Sequence, residues 1–97
     1  MPNSQPAKVA LTAAQIRAAR ALLRWRAEDL AERSALGLAT IRRAEGAEGK
    51  TPLTVANDRA VRRTLEEAGV VFIDASTTEH NLGEGVRLRL NPKSMRP

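Results

Sequence analysis

The residues with the clearest capacity for chemistry are arginines. Lys and Arg number 16 against 11 Asp and Glu, a formal net charge of +5, and arginine far outnumbers lysine. A guanidinium donates paired hydrogen bonds to phosphate and to the O6 and N7 atoms of guanine. Arg42 and Arg43 are adjacent, and Thr40 stands two residues before Arg42. The pattern favours an anionic partner, with nucleic acid the first expectation and a solvated helix face the alternative for both arginines.

Other chemistry is excluded or weakly supported. The 97 residues contain no cysteine, which excludes disulfides and thiolate sites, and one histidine cannot build a zinc site. Glu66 and Glu67 each follow an arginine by four residues, which is typical of surface ion pairs. The Gly-Glu-Gly stretch at 83–85 precedes a predicted strand, so it is not a phosphate loop. We therefore expect no catalysis, no cofactor and no metal.

The elements that position these residues can be predicted from periodicity and capping. Thr12 and Gln15 form a capping box, and Gly69 is a helix stop. Ser34 to Gly37 is a short break between two helices. On the first helix, Arg17 is interpreted as a solvated charge. The four predicted helices are Thr12–Leu23, Ala27–Ser34, Leu38–Glu45 and Thr54–Ala68.

The C-terminal part changes to a strand pattern. Residues 70–74 are mostly β-branched or aromatic, and residues 86–90 alternate apolar and basic, which predicts a hairpin at 70–90. A two-stranded hairpin is marginal in water, so it must pack on a helix or on another chain. Residues 1–10 are predicted to be a flexible arm and residues 91–97 a frayed tail. The apolar residues proposed for dimerisation are Val86, Leu88 and Leu90.

Residues 24–41 resemble the helix-turn-helix core of Cro/C1-type regulators, the XRE family. They include Ala31-Glu32-Arg33-Ser34-Ala35-Leu36-Gly37-Leu38-Ala39-Thr40-Ile41. Segments 41–45, 53–57, 68–74 and 85–89 are similar to a subgroup of small bacterial XRE-like regulators. The resemblance spans about residues 11–90. It implies a mainly α, lambda-repressor-like helix-turn-helix bundle of four to five short helices with a C-terminal two-stranded β-hairpin, and a DNA-binding domain at 11–69.

The same resemblance assigns roles to side chains. It implies that helix 38–45 enters the major groove, and that Arg20 and Glu45 form an ion pair between the first and third helices. Two unrelated exposed charges are the alternative for that pair. The residues implied at base edges are Arg43, Thr40, Leu38 and Ala39. From their places around helix 38–45 and at the start of the second helix, we expect phosphate contacts from Arg42, Arg26, Ala27 and Lys50.

Several positions depart from the family pattern. Arg26 stands at a helix cap that is usually Ser or Thr, and Ala27 stands where Gln is usual. Ala35 replaces the turn glycine. Leu38 and Ala39 occupy positions that are usually polar and exposed, and apolar side chains make no hydrogen bond to a base. We therefore expect the third helix to make few hydrogen bonds to bases.

The sequence predicts sequence-specific DNA binding, and the family resemblance implies a transcriptional regulator. Such a module gains affinity as a homodimer on half-sites about 34 Å apart. Two alternatives remain: a protein-interaction module, such as an anti-activator, that keeps the fold with reduced or lost operator reading, and an antitoxin-like regulator that binds DNA and a protein together. Apolar runs are too short for a membrane span and no signal peptide is evident, so we expect a cytoplasmic protein.

Overall fold

A computed structural model describes residues 10–75 and 83–90. The predicted arm, except residue 10, much of the polar loop between the strands and the predicted tail lie outside these residues. The described part is a mainly helical domain with four helices and one antiparallel hairpin. Its elements, in chain order, are α1 (Ala13–Leu23), α2 (Ala27–Ser34), α3 (Leu38–Glu45), α4 (Val55–Glu67), β1 (Val70–Ile73) and β2 (Gly85–Leu88).

The start of α1 follows from the predicted capping box, which is confirmed. The Gln15 backbone N–H donates to Thr12 Oγ1 at 3.1 Å, and the Thr12 N–H donates to Gln15 Oε1 at 3.0 Å. At α2, the Asp29 carboxylate accepts from the Arg26 N–H at 2.8 Å. Because an arginine side chain has no acceptor, the reciprocal bond of a capping box is missing there.

The core is aliphatic, as the scarcity of aromatic residues predicts. Trp25 and Phe72 are partly buried and pack against it. Truncating a fully buried Leu or Ile to Ala costs about 2–5 kcal/mol, so these few side chains account for much of the stability. The large fully buried side chains are Leu11, Ile16, Leu30, Ile41, Leu65, Val61 and Val70.

Arg62 corrects the interpretation of the α4 ion pairs as surface features. Its side chain is buried, although the Nη1 atom lies 3.8 Å from a carboxylate oxygen of Glu66. The Arg62 guanidinium also lies 5.3 Å from the centre of the Phe72 ring. Phe72 is supplied by β1, which the helical periodicity of α4 does not reveal. The hairpin therefore covers Arg62.

A three-residue turn joins α2 to α3. Ala35 adopts the left-handed conformation, with φ 61° and ψ 34°, and the Leu36 N–H donates to the Ala31 carbonyl at 3.0 Å. Gly37 is the N-cap of α3 in extended backbone. A positive φ is sterically unfavourable for alanine. The hydrogen bond that closes the turn offsets part of this penalty. The tight turn holds α2 and α3 together as a helix-turn-helix unit.

The hairpin packs on the helices of its own chain. Val70 pairs with Leu88 and Phe72 with Val86 in antiparallel register. Gln15 of α1 donates through Nε2 to two hairpin carbonyls, those of Ile73 and Gly85, both at 3.2 Å. Of the two supports expected for the hairpin, the structure therefore shows the helical one.

This packing divides the apolar residues proposed for dimerisation. Val86 is partly buried and packs against the core. Leu88 is 46% exposed, and Leu90, which lies beyond the end of β2, is 71% exposed. The strand is thus shorter at its C-terminal end than predicted. Within the described residues, no helix has the length and apolar character needed to cross a membrane.

Candidate nucleic-acid interface

The rotation of α3 is fixed by its buried face. Ile41, Ala44 and Glu45 are buried at positions that repeat with the helical period. The opposite side of the helix therefore faces solvent, and Ala39, Arg42 and Arg43 are exposed there. We call the exposed set Arg26, Glu28, Ala39, Arg42 and Arg43 the α2–α3 surface.

Leu38 does not lie on that surface. The sequence predicts an exposed side chain, but Leu38 is partly buried and packs against the core. The physical reason is its position three residues before the fully buried Ile41, on the same side of the helix. Ala39 is therefore the exposed apolar residue of the first turn. The exposed apolar surface at the start of α3 is smaller than the sequence suggests.

The two adjacent arginines lie towards different neighbours. Arg42 reaches α2, where its Nη2 atom lies 3.4 Å from a carboxylate oxygen of Glu28. Arg43 lies instead beside the start of α4. About 100° of rotation separates consecutive residues on a helix, so the two guanidinium groups occupy opposite sides of the exposed face. Arg43 and Thr40 line a hollow of about 250 Å³ with Pro52, Leu53, Thr54 and Asn57.

Glu28 brings Arg26 and Arg42 together. Arg26 Nε lies 3.8 Å from one oxygen of the Glu28 carboxylate, and Arg42 lies beside the other. The side chains of Arg26 and Arg42 remain 79% and 63% exposed. Exposed pairs of this kind contribute little to folding stability, so both guanidinium groups can be redirected to an incoming anion.

An ion pair fixes α3 to α1. Arg20 donates from Nε to Glu45 Oε2 at 2.6 Å and from Nη2 to Glu45 Oε1 at 2.8 Å. Arg20 Nη1 also donates to the Trp25 carbonyl at 2.9 Å. The hydrogen bonds to Glu45 raise the pKa of Arg20 above its ordinary value, although burial opposes the shift. The structure thus brings together the two side chains that the family resemblance pairs.

Arg17 adds a second contact from α1 to the same residue. Its exposed guanidinium donates from Nη1 to the backbone carbonyl of Glu45. The interpretation of Arg17 as a solvated charge is therefore wrong in part. A cation at the C-terminal end of a helix also meets the negative end of the helix dipole. Arg17 and Arg20 together hold the last residue of α3.

The other predicted phosphate contacts lie at two separate places. Arg26 and Ala27 are adjacent at the start of α2, close to Arg42 through Glu28. Lys50 is exposed in the loop after α3, and its backbone forms an isolated bridge with Thr12. The Ala13 N–H donates to the Gly49 carbonyl at 2.9 Å, which holds this loop beside the start of α1. Lys50 is therefore grouped with α1.

Three polar residues make long-range contacts that the sequence does not indicate. Asp58 is buried and accepts from the Leu11 N–H at 3.1 Å, and Gln15 holds the hairpin. Glu28 lies in the first turn of α2, where a negative charge is favourable, and its contact with Arg42 on α3 depends on how the two helices pack. The described residues contain no group of three or more His, Cys, Asp or Glu side chains that could hold a metal ion. His80 lies outside them.

No protein-family model, curated protein or solved structure matches this chain. The helix-turn-helix unit and the α2–α3 surface are therefore the basis for a functional proposal.

Proposed function

We propose that the chain is a sequence-specific DNA-binding transcriptional regulator with a lambda-repressor-like fold, in which α3 enters the major groove. The observation that carries the proposal is the divergence of Arg42 and Arg43. One lies towards α2 and the other towards the start of α4, on an eight-residue helix joined to α2 by a three-residue turn. The major groove is about 12 Å wide and admits such a helix.

The placement of the arginines supports two kinds of contact. Arg43 lies beside Thr40 on one side of α3, where a guanidinium can donate to guanine O6 and N7. Arg42 and Arg26 lie on the other side, at the N-terminal end of α2. The backbone N–H groups there, beginning at Ala27, are further donors to a phosphate, and the first-turn carboxylates of Glu28 and Asp29 oppose its approach. We assign base contact to Arg43 and phosphate contact to Arg42 and Arg26.

Rigid presentation of α3 supports the same function. A guanidinium reads a base edge through hydrogen bonds that tolerate little displacement. Arg20 and Arg17 bind Glu45 from α1, so the C-terminal end of α3 is fixed relative to the rest of the domain. We propose no catalytic role for this surface: its side chains bind and orient a duplex.

We further propose that the protein acts as a homodimer. One short helix covers only a few base pairs, and paired half-sites about 34 Å apart multiply the contacts. Leu88 and Leu90 are large apolar side chains left exposed at the end of the hairpin. A second copy placed there would remove both from water. Val86 contributes less, since it already packs against the core.

The experiment is selection of bound duplexes from a random DNA library with the purified protein, followed by a salt titration. We expect an enriched sequence with a two-fold repeat and an affinity that falls linearly on a log–log plot against salt. A protein that retains no duplex at low salt contradicts the proposal.

A protein-interaction module is the competing function. The exposed Leu88 and Leu90 favour it, because an apolar patch can dock a different protein as readily as a second copy. Tight binding to a protein with no affinity for duplex DNA would support this alternative. Because Leu38 packs against the core, the start of α3 exposes little apolar surface. The α2–α3 surface is therefore less suited to such docking.

A further inference from the structure

We propose that Glu28 is a specificity determinant that lowers binding to random duplex more than binding to the selected site. This inference rests on the proposed function, because it assigns a role within the same surface. Glu28 is a carboxylate among the arginines to which we assign DNA contact, and its side chain is 47% exposed.

The geometry places one carboxylate between two cations. Glu28 Oε1 lies 3.8 Å from Arg26 Nε, and Glu28 Oε2 lies 3.4 Å from Arg42 Nη2. Arg42 belongs to α3 and Arg26 precedes α2, so Glu28 connects the two helices of the unit. A phosphate that binds either guanidinium therefore approaches a negative charge within a few ångströms.

Glu28 is not needed to cap its helix. Asp29, the next residue, accepts the hydrogen bond from the Arg26 N–H at 2.8 Å. The Glu28 carboxylate lies against Arg26 and Arg42, and its charge also acts on Arg20. The carboxylate is thus directed at the two cations and does not close the helix end.

The number of guanidinium donors gives the physical basis for discrimination. Arg42 has five N–H donors, so it can bind Glu28 and a phosphate together when the phosphate approaches from the side away from the carboxylate. A duplex seated by Arg43 on its base edges is held in one position, where this arrangement is kept. A loosely bound duplex samples other positions, and repulsion between its phosphates and Glu28 disfavours many of them.

The test compares Glu28→Gln with Glu32→Gln. Glu32 lies one turn further along α2 and is exposed, so both changes remove one negative charge from the same helix. We expect Glu28→Gln to raise affinity for a random duplex by about three- to tenfold, as for loss of two exposed ion-pair contacts. The affinity for the selected site changes less than about twofold, and the salt slope on random duplex steepens by about one unit.

The outcomes separate this inference from the proposed function. For Glu32→Gln we expect a smaller gain, equal on both duplexes, because only net charge changes. Equal gains on both duplexes for Glu28→Gln, or unchanged random-duplex affinity, would overturn the role of Glu28 while DNA binding stands. If the unchanged chain binds neither duplex at low salt, the proposed function fails and the inference fails with it.

Discussion

The guanidinium of Arg20 and the carboxylate of Glu45 form two parallel hydrogen bonds, at 2.6 and 2.8 Å, that join α1 to the last residue of α3. The side chains are 22% and 10% exposed, so the pair is largely removed from water. Removing one partner leaves the other charge partly buried without compensation. The position of α3, and hence of the α2–α3 surface, therefore depends on a contact with α1, which is not part of the helix-turn-helix unit.

We expect Glu45→Ala to lower the free energy of unfolding by about 2–4 kcal/mol, reduced from a fully buried pair because Arg20 retains solvent contact. Denaturant unfolding monitored by circular dichroism measures the change. Glu48→Ala, in the exposed loop after α3, is the matched control, with an expected change within about 0.5 kcal/mol. A loss for Glu45→Ala as small as the control would show that the pair is energetically a surface pair.

We expect the alanine substitutions of Arg42 and Arg43 to affect DNA binding in different ways. Arg43→Ala should lower affinity for the selected site by about 1–3 kcal/mol and relax the preference at one guanine. Arg42→Ala should weaken all duplexes alike and reduce the salt slope by about one unit. Salt titrations on selected and random duplexes separate the two roles.

A third variant controls for charge in that comparison. Arg59→Ala removes one exposed cation from α4, on the face that it shares with Ala56 and Arg63, whereas Asn57 is the α4 residue beside Arg43, so the change should alter duplex affinity little. If Arg42→Ala and Arg43→Ala lower duplex affinity no more than Arg59→Ala does, the α2–α3 surface does not bind DNA. Equal losses of affinity for Arg42→Ala and Arg43→Ala on every duplex would show that both arginines contact phosphates.

The turn between α2 and α3 is open to stabilisation. Ala35 has φ 61°, where glycine avoids a steric penalty of about 1–2 kcal/mol. After allowance for the greater entropy of glycine in the unfolded chain, Ala35→Gly should raise unfolding free energy by about 0.5–1 kcal/mol. Ala18→Gly, at an exposed helical position in α1, should instead lower it by about 1 kcal/mol. Equal effects of the two changes would contradict the strain at Ala35.

The dimer proposal is tested at the exposed end of the hairpin. Leu88→Asp combined with Leu90→Asp should convert a dimer into a monomer in sedimentation, because two charges would have to be buried at the interface. Val55→Asp is the control, since Val55 is 69% exposed on α4. A chain that ends at Gly69 is a poor test, because it removes the fully buried Val70. An unchanged dimer in the double variant would place the interface elsewhere.

The positions of the helices and of their ends can be predicted from local sequence alone. The Thr12 box, the α2 and α3 ranges and the stop near Gly69 follow from capping and from the 3.6-residue period, which act within a few residues. The hairpin follows from two other local patterns, the β-branched run at 70–74 and the alternation at 86–90. Its second strand ends at Leu88, earlier than the alternating pattern suggests, because Leu88 already pairs with Val70, the first residue of β1.

The long-range contacts between polar groups depend instead on how the helices and the hairpin pack. Arg20 reaches Glu45 across 25 positions, Arg42 reaches Glu28 across 14 and Gln15 reaches Gly85 across 70. The resemblance to known regulators suggested the first of these contacts, and no local pattern suggested the other two. A side chain's own sequence neighbourhood sets its helix face, but its partner depends on how separate helices pack. For that reason the arginines were visible in the sequence, while the carboxylate placed between two of them was not.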